Sequence, residues 1–259
     1  MARNYVLLDK EAHKKVKIKQ DPNLAHAKGS HLVGVSIREF ARASSAVPLV
    51  FIKDDSANRY HCAGVYGLTE GVNLYYSDEG WQSHFAPLNL QRYPFDVRPN
   101  GEQLSIFIDQ DSDRVNEEEG VALFNEDGSV SQYMDSRQKM LADLVNSENI
   151  TQDFIKKATE LDLIEEIKLG VRYASGEQRQ LVGLYGISEE KLLKLEDEEV
   201  VKLHRNGYLG AMYAMLSSMG QLNRLVQLSQ KSAQPIVGIQ ILPKEQPQAD
   251  AAKEAAKAN

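Results

Sequence analysis

Pro48-Leu49-Val50-Phe51-Ile52, closed by Lys53-Asp54-Asp55-Ser56, decides the fold class. The apolar run reads as a β-strand and the polar quartet as the turn that ends it. A further strand follows from Tyr60 to Leu68. Gly64 and Gly67 inside it signal a bulge or a close approach of two backbones. Upstream, Tyr5 to Leu8, Val16 to Ile18 and Leu32 to Ile37 are short strand candidates. Ser36 to Ser45 reads as a short helix that stops near Val47, because proline disfavours helical backbone at the residue before it. Downstream, Val72 to Tyr76 and the alternating Leu104 to Asp109 are strands, with Asp78-Glu79-Gly80 as a turn. Ala86 to Arg92 forms one or two helical turns with Pro87 at an early position, and Tyr93-Pro94-Phe95 ends it. The N-terminal half is therefore mainly antiparallel β.

The period changes in the second half. Between Ser131 and Leu163, Tyr133, Met140, Leu141, Leu144, Ile150, Phe154, Ile155, Ala158 and Leu161 recur at helical spacing. Asn146 to Asn149 predicts a break into two helices. Ile167 to Tyr173 and Gln180 to Tyr185 read as a hairpin closed by Ala174-Ser175-Gly176-Glu177, inserted among the helices. Helices start again at Ser188 and near Asp197. The longest helix is expected over Leu209 to Gln230, with Leu209, Met212, Tyr213, Leu216, Met219, Leu222 and Val226 on one face. Methionines on such a stripe are read as core filler in preference to a ligand groove. Gln234 to Pro243 is a last strand. The fold class is α+β: an antiparallel β N-terminal half and a helix-rich C-terminal half with an inserted hairpin. A single domain is expected over residues 1–243, with any subdivision falling near residue 130. Residues 244–259, rich in alanine and lysine, read as a disordered tail.

The chain has 259 residues, 42% hydrophobic and 26% charged, which is ordinary globular composition. A chain of this size buries roughly 70–75% of its unfolded surface and needs no metal or disulfide to fold. The formal net charge of −7 disfavours nucleic-acid binding. Lys10, Lys14, Lys15, Lys17 and Lys19 form a local exception. They read either as an anion contact or, as favoured, as the solvated face of a charge-protected edge strand. Cys62, the lone cysteine, reads as a buried inert thiol, since on a strand His61 points to the opposite face. No run reaches the ~18 apolar residues of a membrane span. The N-terminal sequence lacks a signal peptide's apolar core, so a cytoplasmic location is expected.

Motifs for chemistry fail on named residues. Neither GxxxxGK[ST] nor GxGxxG nor GxSxG occurs, and His13, His26, His31, His61, His84 and His204 form no metal-ligand pattern. Asp109-Gln110-Asp111-Ser112-Asp113 imitates a calcium loop. Counted from Asp109, however, the glycine position holds Arg114 and the bidentate glutamate position holds Gly120. A solvated turn is the expected reading. No cofactor and no metal are expected.

The aromatic block Tyr75, Tyr76, Trp81, Phe85, Tyr93 and Phe95, with Arg92 and Arg98 inside it, is the one positive lead. Rings beside guanidinium groups build recognition surfaces for peptides or planar ligands, and they also build cores. Ser175 to Arg179 is a second polar cluster, at a hairpin tip where turn chemistry alone accounts for it.

The ordered series Val47-Pro48-Leu49-Val50-Phe51, Gly67-Leu68, Asn73-Leu74-Tyr75, Gly80-Trp81, Pro87, Arg92-Tyr93-Pro94-Phe95, Leu123-Phe124 with Asp127-Gly128, Leu161-Asp162-Leu163-Ile164, Ser175-Gly176-Glu177-Gln178 and Leu203-His204 to Leu216 resembles the SapC family from about Val6 to Leu228. The resemblance carries no catalytic residues over. It implies an accessory role beside flavin-dependent halogenase-like proteins and outer-membrane receptors. The family name itself points to surface-layer genes. Three functions follow as expectations. The first is a non-catalytic binding or accessory protein that holds a peptide or protein partner through Tyr75, Trp81, Arg92, Tyr93 and Phe95. The second is an enzyme of unrecognised class, with His61, His84, Asp78 or Glu177 converging in space. The third is a structural component related to the surface layer.

Overall fold

The computed structural model describes residues 3–243, so the expected tail at 244–259 lies outside the described residues. The N-terminal half runs β1 (Tyr5–Leu7), β2 (Lys17–Ile18), β3 (Leu32–Gly34), α1 (Phe40–Ala43), β4 (Leu49–Asp54) and β5 (Arg59–Val65). It continues with β6 (Tyr76–Ser77), β7 (Gly80–Trp81), α2 (Leu88–Gln91), β8 (Phe95–Asn100), β9 (Gln103–Asp109), β10 (Val115–Asn116) and β11 (Val121–Ala122). The C-terminal half is α3 (Gln132–Glu160), β12 (Ile164–Tyr173), β13 (Gln178–Ile187), α4 (Glu189–Leu192), α5 (Asp197–Arg205), α6 (Tyr208–Ser218), α7 (Leu222–Ser229) and β14 (Ile236–Ile241). The fold is α+β, with short antiparallel strands concentrated in the first half and the long helices in the second.

The central sheet has the order β14-β12-β13-β4-β5-β3, and every neighbouring pair is antiparallel. The inserted hairpin is thus no appendage. β13 pairs with β4 through Leu184 opposite Ile52 and Tyr185 opposite Phe51, so strands from both halves share one sheet. Phe154 of α3 anchors the core on this sheet. Its ring stacks on Phe51 at 6.0 Å and meets Phe40 and Tyr208 edge-on at 5.9 and 5.6 Å. Two buried serines tie helix ends to strand starts. Ser218 Oγ accepts the Leu49 N–H at 2.8 Å, and Ser229 Oγ accepts the Ile236 N–H at 2.9 Å. Cys62 is buried in this core, and burial pushes its thiol pKa up, as expected of an inert thiol.

A second, smaller core gathers Ile18, Phe95, Ile108, Leu123, Met134 and Leu141. It lies beneath the sheet β1-β9-β8 and the small sheet β10-β2-β11. Val16 and Ile18 point into it, but β2 is the central strand of its sheet, not the expected protected edge. Lys19 is paired with Glu119 at 2.7 Å.

Three sequence expectations are corrected. α3 does not break at Asn146 to Asn149. Asn146 and Asn149 face solvent, while buried Ser147 and Thr151 bond back to the carbonyls of Asp143 and Ser147 at 2.6 and 2.7 Å. Thr151 Oγ1 also accepts the Ile37 N–H at 3.0 Å. Polar residues that looked like a break serve a packed contact, and one helix reaches both cores. The helix expected over Leu209 to Gln230 is instead α6 and α7 joined by a 3-10 turn, Met219–Gln221, and Tyr213 on its supposed core stripe is exposed. The expected strand Val72 to Tyr76 shortens to β6. Gly67 explains the path: a Cβ there would collide with the Val72 carbonyl, the close backbone approach its glycine suggested.

Candidate functional site

The loop that carries the aromatic block is fixed from inside. Asn73 Nδ2 donates to the Ala27 carbonyl at 3.0 Å, and its Oδ1 accepts the Tyr75 N–H at 2.9 Å. Tyr75 is fully buried and donates its hydroxyl to the Ala46 carbonyl at 2.7 Å; burial pushes its pKa well up. Tyr66, Tyr75 and Trp81 then form one aromatic cluster, with centroids 5.0 to 6.1 Å apart. Trp81 is its outermost member. Its Nε1 donates to the Phe85 carbonyl at 2.8 Å, and its ring lines a cleft of about 490 Å³.

That cleft lies along the seam between the two cores. Its walls come from the segment after β2 (Gln20, Asp21, Leu24), from α1 (Arg42), from the loop of Ser83, His84 and Ala86, and from Arg114 and Arg137. Glu39 holds the wall at α2. Its buried carboxylate accepts the Ser36 N–H and hydroxyl at 3.1 and 2.9 Å and the Leu88 N–H at 2.8 Å. A hollow of about 370 Å³ shares Trp81, Ser83 and His84 and adds Arg224.

The remaining predicted residues divide. Phe95 is fully buried in the smaller core. Arg92 is half-buried and paired with Asp96 at 2.9 Å; with Tyr93 it lines a separate hollow of about 240 Å³. Tyr93 forms the partition between hollow and cleft. Its ring stacks on His26 at 4.4 Å, and its hydroxyl donates to Asp109 at 3.0 Å. Arg114 donates from Nη1 to the Tyr93 carbonyl at 2.9 Å and from Nε to the Lys19 carbonyl at 3.0 Å. His26 lies against the Leu90 carbonyl at 3.0 Å, which makes Nε2 its N–H. Burial first, and the Arg114 charge second, lower its pKa to about 4, so the ring is neutral at pH 7.

Of the five predicted contacts, then, Trp81, Arg92 and Tyr93 reach a surface concavity, Phe95 borders the hollow of Arg92 and Tyr93 but is buried, and Tyr75 is buried within the core. Sequence reading missed Arg42 and Arg137 as cleft residues; nothing local marks either one. Arg114 did leave a signal, as the cation inside an acidic run. The run itself is not wholly the solvated turn expected, because Asp109, Ser112 and Arg114 are buried while Gln110, Asp111 and Asp113 are exposed.

The residues named for an enzyme fall on different elements. Glu177 is bound to Arg179 at the hairpin tip at 2.6 Å. His84 Nε2 lies 3.1 Å from Ser45 Oγ, and that hydroxyl also lies 2.8 Å from the Arg42 carbonyl. Among the described residues, no group of three or more His, Cys, Asp or Glu is placed to hold a metal, and no helix is long and apolar enough to cross a membrane.

The SapC family matches residues 8–225, most of the chain, and the protein belongs to that family. No curated relative and no solved structure matches the chain.

Proposed function

We propose that this SapC-family member is a binding or accessory protein that recognises a peptide or protein partner in the cleft beneath Trp81. The observation that carries this reading is the half-buried indole, fixed by its bond to the Phe85 carbonyl and presenting part of its ring to an open concavity of about 490 Å³. A rigid aromatic anchor in a pocket is the usual centre of a recognition surface. The volume falls within the ~300–1,000 Å³ range of ligand sites. A cytoplasmic location and a flavin-dependent halogenase-like companion belong to the same reading.

Trp81 is the lone tryptophan of the chain, so intrinsic emission reports on this cleft directly. Titration with capped hexapeptides of varied composition should shift that emission saturably for at least one class. A flat response to every peptide, with the protein folded, overturns the reading.

A further inference from the structure

We infer that the cleft beneath Trp81 is an oxyanion seat, built to hold the carboxylate of an acidic peptide segment between Arg42, Arg114 and Arg137. This rests on the partner-binding reading above and names the chemistry of the group bound.

Three features point to it. First, the cleft gathers Arg42, Arg114 and Arg137 in a chain whose net charge is −7, so positive charge is concentrated there against the balance of the molecule. Second, none of these three arginines forms an ion pair among the described residues. The described arginine ion pairs belong to Arg92, Arg98 and Arg179. Asp21 lines the same cleft, but its carboxylate is turned onto the N–H groups of Asn23 and Ala25 at 3.0 and 2.8 Å. Third, the donors are incompletely used. Arg137 Nε is buried with no hydrogen-bond partner, and its Nη1 reaches only the Gln91 carbonyl at 3.4 Å and the Met140 sulfur at 3.7 Å. Arg114 is 8% exposed, and its guanidinium meets two carbonyls and the Tyr93 ring at 5.9 Å, with no carboxylate. Buried guanidinium donors call for an acceptor, and a planar carboxylate matches their fork. The side chains that complete the site are therefore those of the ligand. Trp81 beside them supplies the apolar surface that distinguishes a peptide from a free anion.

The test compares three probes on the full chain, by Trp81 emission and calorimetry. They are an acetylated, amidated hexaglutamate peptide, its hexaglutamine counterpart and inorganic phosphate. The glutamate peptide should bind at least about ten-fold more tightly than the glutamine peptide, since each lost charge-assisted contact is worth about that factor. Raising the salt should weaken it, and Arg42→Glu should erase the preference. Arg42 is exposed, so this variant keeps the fold. Arg137→Gln serves as the second variant, with folding checked by its melting curve. Equal affinity for the two peptides overturns the oxyanion seat and leaves the partner reading standing. Phosphate binding that Arg42→Glu removes, with neither peptide bound, supports the seat and overturns the peptide partner. No binding by any probe overturns both.

Discussion

Two groups of arginines sit close to the same aromatic stretch and have opposite roles. Arg92 and Arg98, beside β8, share one carboxylate: Asp96 lies 2.9 Å from Arg92 and 2.8 Å from Arg98. Arg98 also stacks over Tyr5 at 4.0 Å. Both charges are satisfied internally, and Arg98 stitches β8 to β1. Arg42, Arg114 and Arg137 all line the cleft; Arg114 and Arg137 have carbonyls, a sulfur and the rings of Tyr93 and Tyr133 for company, but no carboxylate. Residue type does not separate the two groups; the position of one aspartate does. Arginine beside tyrosine is structural where a carboxylate closes the circuit, and available to a ligand where none does.

The largest effect that could break this comparison is on the core side. Tyr75→Ala should cost about 3–5 kcal/mol of stability by urea denaturation, as expected for a fully buried aromatic ring. Near-wild-type stability would return Tyr75 to the candidate contacts.

His26 gives the next effect, along the partition between the two groups. Its pKa is about 4 in the folded protein, against about 6.5 unfolded. The neutral ring therefore contributes fully above pH ~6.5, and the contribution is lost as pH falls from ~6.5 to ~4. The loss should be roughly 2–3 kcal/mol, from the ~1.4 kcal/mol carried by each pKa unit and some allowance for partial exposure. His26→Phe keeps a ring on Tyr93 and should flatten the stability profile across that window; an unchanged slope would refute the assignment.

Asp96→Asn should cost about 1 kcal/mol, because it dissolves two partly exposed ion pairs. Peptide binding in the cleft should be unaffected, and a parallel loss of binding would merge the two arginine groups into one site. Arg42→Gln is the smallest in stability, within about 0.5 kcal/mol as for an exposed side chain. It should nonetheless weaken binding of the glutamate peptide in calorimetry.

Much of the fold was legible from local signals. The turn after the Pro48 strand (at residues 55–58, two later than the expected Lys53 to Ser56), the Pro48 stop after α1, the hairpin around Ser175-Gly176 and the close approach at Gly67 all follow from period and turn chemistry, which act over a few residues. β8 was not legible. It carries Pro99, which argues against a strand unless that strand is an edge, and only the order β1-β9-β8 makes it one. The uninterrupted α3 was hidden for a similar reason: the usefulness of Ser147 and Thr151 depends on a contact with Ile37, far away in the chain.

The sequence by itself determined an α+β chain, its family, and an aromatic block worth attention, because periodicity and motif order are properties of neighbouring residues. Which rings became core, and which cations were left without a carboxylate, depended on the seam where two cores meet. Arg42, Arg114 and Arg137 lie on three distant segments, and their shared lack of a carboxylate partner is a property of the space between them.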